Sequence, residues 1–184
     1  MKRYLLAISL CLMATLSCLA QEGHMKFMGI ELNGTISEFQ TKLQSKGLVV
    51  SKKSSQYPNG MRAYEGVFSG ENAQIIVWYN PRSKQVYRAK AVIERYGKDL
   101  VQQLMDKMKA KLDLKYGSKC RYSEVVTDDH LQEFEQSSWE IDNGTIDLFV
   151  VSTGYSAQNT FFLQVDYKDK ENYLKNTKDE MDDL

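Results

Sequence analysis

Cysteine and histidine are scarce in this sequence, and the familiar motifs of enzyme chemistry are missing. Three cysteines occur. Cys11 and Cys18 sit in the first twenty residues, which leaves Cys120 alone in the remainder. An intrachain disulfide is then impossible once those residues are removed, so stability must come from an apolar core. Residues 21–184 are long enough to build one, and a single domain is the default for that length. His24 and His130 are the only histidines. With no His-Glu-x-x-His and no Cys-x-x-Cys, a zinc site has no signature. There is no Gly-x-Ser-x-Gly elbow and no phosphate-cradling glycine loop. Glu65, Glu94, Glu135, Glu140 and Asp147 have no spacing that forces two carboxyls across a cleft, as glycoside hydrolysis would need. Asp166, Asp169 and Glu171 form only a weak oxygen cluster, without the glycine and closing glutamate of a calcium loop. They read as a solvated turn. No cofactor and no metal are expected.

An excess of charge is also absent. Basic and acidic residues are equal in number over the whole chain. Residues 1–20 hold Lys2 and Arg3 and no acid, so the chain from residue 21 carries two more negative than positive charges. No Lys/Arg block with interleaved aromatics occurs, and nucleic acid is disfavoured as a partner. The apolar run from Leu5 to Leu16 is too short to span a bilayer, which takes about 20 residues. Behind the basic Lys2-Arg3, and ahead of the small residues around Cys18 and Ala20, it reads as a secretory signal peptide cut after Ala20. The chain is expected in the periplasm or outside the cell, with no transmembrane helix after cleavage. Lipid anchoring at Cys18 ranks second, because the leucine that should precede such a cysteine is one position out of place.

What is present is punctuation and alternation. "FMGIELNGTISEFQTKLQSKG" (27–47) has the turn Asn33-Gly34 and then Thr35 and Glu38 in the spacing of a capping box. Ile36, Phe39 and Leu43 follow on one helical stripe, and Gly47 suits the left-handed residue after a helix, with Leu48 packing back. Residues 21–26 look like a loose lead-in, and His24 is not expected to be held. Ser51–Ser55 and Pro58-Asn59-Gly60 read as loop and turn, and Arg62–Ser69 and Ala73–Asn80 as strands. In Gln85–Arg95, Tyr87, Ala89, Ala91 and Ile93 alternate with Arg88, Lys90 and Glu94, the pattern of a sheet buried on one side and wet on the other. A second helix spans about Lys98–Tyr116, with Asp99 as its cap and Leu100, Val101, Leu104, Met105, Met108 and Leu112 as its apolar stripe. Asn143-Gly144 marks a hairpin between two further strands. Residues 160–167 form a last strand, and a polar tail with one short helix ends the chain.

This order predicts an α+β fold: an antiparallel sheet with two helices packed on one face. A shift of 70 residues superposes Gly47 on Gly117 and Ile76 on Ile146, so the pattern reads as a duplicated αβββ unit, with halves at about 30–96 and 97–168. The uncovered face should carry Trp78, Arg88, Lys90, Phe162 and Gln164 as binding residues, with Glu94 and Asp166 beside them. A one-residue slip of register would exchange this set for its neighbours. Eleven Tyr, seven Phe and two Trp supply enough aromatic surface for such a face as well as for the core.

The pattern Phe27-x-Gly29-Ile30, Gly34-Thr35, Glu38-Phe39, Leu43, Lys46-Gly47 resembles the start of small exported α+β proteins of Bacteroidetes-type bacteria. The helix-then-strands architecture is similar to periplasmic modules of the β-lactamase-inhibitor and outer-membrane-assembly lipoprotein type, although their Leu-Gly-x-Pro helix exit is absent. The resemblance carries no catalytic motif and implies a binding or scaffold role in the envelope. The reading that follows is a non-enzymatic exported protein that binds a protein, peptide or glycan on its open sheet face. One rival is a small hydrolase or thiol-dependent enzyme using Cys120 and His130. Another is a structural envelope protein that oligomerises.

Overall fold

The computed structural model describes residues 23–127, 133–153 and 160–181. The expected signal segment, Cys18 and His130 lie outside the described residues. A two-stranded ribbon opens the fold, β1 (Lys26–Phe27) and β2 (Ile30–Glu31). Then come α1 (Ile36–Ser45), β3 (Val49–Val50), β4 (Met61–Phe68), β5 (Glu71–Tyr79) and β6 (Val86–Tyr96). The second half runs α2 (Lys98–Tyr116), β7 (Arg121–Thr127), β8 (Glu133–Ile141), β9 (Gly144–Thr153), β10 (Thr160–Asp169) and α3 (Lys170–Met181). Strands β3 to β10 form one antiparallel sheet in the order β3-β4-β5-β6-β10-β9-β8-β7.

That order places two like halves back to back. In each, a helix leads into four strands that pair in sequence order. The halves meet through their last strands, with Arg88 opposite Lys168 and Tyr96 opposite Thr160. The short strand Val49–Val50 adds one member to the three expected in the first half. The third helix crosses the ends of β6, β10 and β9, where the Tyr173 ring meets Tyr87 edge-on, 5.9 Å between centroids.

Local chemistry explains the helix ends. The Thr35 hydroxyl accepts from Glu38 N–H, and the Glu38 carboxylate accepts from Thr35 N–H at 2.8 Å, a complete capping box. At the other end Gly47 has φ +86°, its N–H reaches Gln44 O, and Leu48 N–H reaches Leu43 O. This is a Schellman stop, with Leu48 buried against the helix. The second helix begins differently from expectation. Gly97, at φ +90°, is its N-cap; Asp99 lies in the first turn and makes no capping bond. A glycine tolerates the left-handed exit from β6 that a side chain would resist, so the chain turns at Gly97 before any cap can form. Leu100 is exposed, outside the stripe of Val101, Leu104, Met105, Met108 and Leu112 that enters the core.

The core lies between the helices and one sheet face. Ala73, Ile75 and Val77 of β5, Ala89, Ala91 and Ile93 of β6, and Leu163 and Val165 of β10 all point into it. Each large aliphatic buried there contributes roughly 1.5–3 kcal/mol. The lead-in is part of this core, contrary to expectation, because Met25 is fully buried; next to it, the buried Phe27 ring stacks on Phe68 at 5.4 Å and meets Tyr167 edge-on at 5.3 Å.

The β8–β9 hairpin forms as expected, one residue earlier. Ile141 pairs with Gly144, so Asp142 and Asn143 make the turn. Gly144 serves another purpose. A Cβ there would fall 2.1 Å from Lys168 O and 2.9 Å from the Met25 side chain, so only glycine lets β9 pass β10 at that point.

Tyr64 is fully buried, and burial pushes its phenol up to about 12 against the opposing pull of Arg62. The folded state keeps that proton after the unfolded chain has lost it. The associated stability is whole below about pH 10 and is lost as pH rises from about 10 to about 12. Two pH units correspond to roughly 2.7 kcal/mol. Tyr64→Phe should therefore flatten the alkaline fall in stability by roughly 2 kcal/mol, with Tyr167, shifted the same way by burial, supplying the remaining slope. Urea unfolding at stepped pH checks this; an unchanged slope in the variant would count against it.

Candidate functional site

The alternation of each central strand leaves a second face that no helix among the described residues covers over most of its area. Gln74, Ile76 and Trp78 of β5 are half-buried between buried neighbours, with Asn72 exposed ahead of them, and Thr145, Asp147, Phe149 and Val151 of β9 alternate with buried residues in the same way. Cross-strand register then assembles a site. Trp78 lies opposite Arg88, Lys90 opposite Asp166, and Gln164 opposite both Val92 and Phe149.

Asp166 is at the centre, 1% exposed in the middle of the face. The Arg88 guanidinium donates to it through Nε at 2.9 Å and Nη2 at 2.5 Å, a fork on a carboxylate. Lys90 Nζ stands 3.7 Å from the same carboxylate and donates to Gln164 Oε1 at 2.8 Å. Above these cations are aromatic faces. Arg88 Cζ lies 4.3 Å from the Trp78 ring centre, and Lys90 Nζ lies 5.6 Å from Trp78 and 5.2 Å from Phe149. Burial works against the Arg88 cation, but the hydrogen bonds and charge of Asp166 outweigh it and raise the pKa. For Lys90 burial prevails, and its pKa is lowered despite Asp166.

Asp147 is directly opposite Asp166 on β9. Two carboxylates in that relation repel, and each is given its own partners: Lys168 donates to Asp147 at 2.8 Å, and Ser138 donates at 2.7 Å. Three cations against two carboxylates leave this patch with one net positive charge.

Toward the other end of the strands the face becomes a groove. The segment 51–57 folds over β4 and β5, held by Ser51 Oγ donating to Glu65 at 2.6 Å and Tyr57 Oη donating to Gln74 at 2.9 Å. Between this segment and Phe162 is a cavity of about 620 Å³, lined by Lys53, Asn72, Gln74, Glu94, Tyr96 and Phe162 among others.

Of the expected binding residues, the structure brings Trp78, Arg88, Lys90 and Gln164 together, with Asp166 among them. Phe162 is opposite Glu94, six positions along β6 from Arg88. At about 3.3 Å per residue it stands roughly 20 Å away, in the groove. Asp147, Phe149, Ser138 and Lys168 were not anticipated. The alternation in "TIDLFVV" contains Asp147 and Phe149, but only the pairing of β9 with β10 reveals which strand they adjoin.

Two other expectations are corrected. His24 is held: its Nδ1 is 3.1 Å from Asp169 Oδ2. The stretch around Asp166, Asp169 and Glu171 is no solvated turn, because Asp166 and Asp169 are each 1% exposed and engaged. No group of three potential metal ligands occurs among the described residues. Cys120 ends a short turn of 3-10 helix, Ser118–Cys120, ahead of β7. No described helix is long and apolar enough to cross a membrane. Compared with protein-family models, with curated proteins and with solved structures, the chain matches none.

Proposed function

We propose that this chain is a non-enzymatic exported binding module that takes an extended peptide or a glycan along its open sheet face. The observation that carries this reading is the groove of about 620 Å³ beside Phe162. Its volume is in the range of small-ligand sites, and its lining combines aromatic rings, amides and charges of both signs. Gln74 and Val92 continue along β5 and β6 to Trp78, Lys90 and Arg88, so one elongated ligand could contact groove and patch together. A long narrow track of this kind suits a single chain of residues or sugars better than a flat protein surface. The patch cations are already committed to Asp166 and Asp147, so they would orient ligand amides and hydroxyls and capture no phosphate strongly.

The test is a titration of residues 21–184 with soluble cell-wall peptides and with oligosaccharides, read by tryptophan fluorescence. Trp139 is fully buried, and Trp78 is only half-buried, so a response should come from Trp78 and disappear in Trp78→Phe. Phe162→Ala and Gln74→Ala should each weaken any complex, with Phe162→Ala costing at least about tenfold. Binding that both substitutions leave untouched would place the ligand elsewhere.

A further inference from the structure

On the opposite, helix-covered face there is a second cavity, of about 530 Å³, between the two halves of the core. Its floor is apolar: Phe68, Met108, Leu112 and Tyr167, all nearly buried, with the half-buried Met28 at one side. Two tight hairpin turns form its wall. Met28-Gly29 and Ser69-Gly70 have positive φ at both positions, the geometry of type I′ turns, which fixes Met28 and Ser69 in place. Three lysines, Lys46, Lys111 and Lys115, complete the lining, and no carboxylate among the described residues contributes to it.

Among the described residues, no carboxylate forms an ion pair with the charges on this rim. Lys111 Nζ donates to Ser69 O at 3.0 Å and Ser69 Oγ at 2.8 Å, both uncharged. Lys115 lies over the Tyr116 ring, 4.8 Å from its centre. Lys46 makes no ion pair with any described residue. Glu71, whose carboxyl feels Lys111, is engaged by Arg95 and Lys107. Three cations around an apolar floor are complementary to a molecule with one negative end and one oily chain. Met28 and Met108 give the lining the adaptability that an unbranched chain requires, and a volume of about 530 Å³ suits a small ligand.

We propose that this cavity binds an aliphatic carboxylate, with its chain against Met28, Phe68, Met108 and Leu112 and its carboxylate among Lys46, Lys111 and Lys115. The site is separate from the open sheet face and does not depend on how that face is used.

The experiment is NMR of residues 21–184 labelled at methionine methyl groups, titrated with decanoate, decanol and acetate. Decanoate should shift the Met28 and Met108 methyls saturably, leave Met61 on the opposite face still, and bind about tenfold tighter than either control. The triple substitution Lys46→Gln, Lys111→Gln, Lys115→Gln should weaken decanoate about tenfold, as three partly exposed ion pairs would, and leave decanol unchanged. All three lysines are on the surface, so the variant is expected to fold, and its methyl spectrum reports whether it has. Decanol binding as tightly as decanoate, equal decanoate affinity in the triple variant, shifts centred on Met61, or no saturable shift would each overturn the proposal.

Discussion

Asp166→Ala is expected to lower the unfolding free energy by about 3 kcal/mol, the largest single loss available on the open face. Removing one partner of a buried ion pair costs about 3–5 kcal/mol, because the other charge stays behind without compensation. Here the stranded charges are Arg88 and Lys90. Their side chains retain 24% and 13% exposure, so water recovers part of the loss and the lower end of that range applies. Urea unfolding at neutral pH measures it. A change under about 1 kcal/mol would mean that the fork from Arg88 is not what holds β6 against β10 at this point.

The same variant has a pH signature that a simple packing defect lacks. Lys90 already has a lowered pKa from burial, with Asp166 holding it up. Without Asp166 it should fall further. A lysine whose folded pKa is below its unfolded value binds fewer protons when folded, so stability rises with pH across that interval. The deficit of Asp166→Ala relative to the parent should therefore narrow as pH climbs toward the ordinary lysine range, near 10.4. A second variant separates charge from volume: Arg88→Met combined with Asp166→Leu removes both members of the pair. Apolar replacement of a buried pair is often neutral, and this double variant strands only Lys90 where Asp166→Ala strands both cations, so it should be more stable than Asp166→Ala alone. The two substitutions touch, and their effects should be strongly non-additive.

Which parts of this arrangement were visible in the sequence follows from distance along the chain. The first helix was legible at both ends, because Thr35 to Glu38 and Leu43 to Leu48 are local relations. The faces of β5, β6 and β10 were legible because alternation has a period of two, and so Trp78, Arg88, Lys90, Phe162 and Gln164 could be assigned to one side. What alternation cannot contain is which strand becomes a neighbour. Lys90 meets Asp166 only because the last strands of the two halves pair at the centre of the sheet, 76 positions apart in the chain. The register irregularity between Trp78 and Tyr79 also escaped; it is the reason Tyr87, expected to point into the core, is half-buried with its ring against Tyr173. The Asn143-Gly144 dipeptide marks Gly144 as a turn residue, but the backbone of β10 is what excludes a side chain there. Among the described residues, remote relations tie residue 24 to residues 169 and 172, and nothing near His24 in sequence announces them.

Asp169→Ala tests that remote tie, and its expected loss is also about 3 kcal/mol. One carboxylate oxygen accepts Asn172 N–H at 2.8 Å and so caps the third helix. The other accepts Met25 N–H at 2.8 Å and lies against His24. Loss of a helix cap costs about 1 kcal/mol, and leaving the buried Met25 N–H without an acceptor costs about 1–3 kcal/mol more. Asn172 extends the joint: its Nδ2 donates to Leu32 O at 2.8 Å, and its Oδ1 accepts from Gln85 at 2.7 Å. The damage should therefore be directional. Amide hydrogen exchange should quicken in the third helix and in the ribbon of Lys26–Glu31, including the Leu32 N–H bonded to Met25 O, while β5 and β9 keep their protection. Asp169→Asn, which retains one acceptor oxygen, should fall between the parent and Asp169→Ala. Uniform acceleration across the sheet in Asp169→Ala would mean that the two termini fold as one unit with the centre. Acceleration confined to the two ends would show them to be a separate clasp, closed over the core by a single carboxylate.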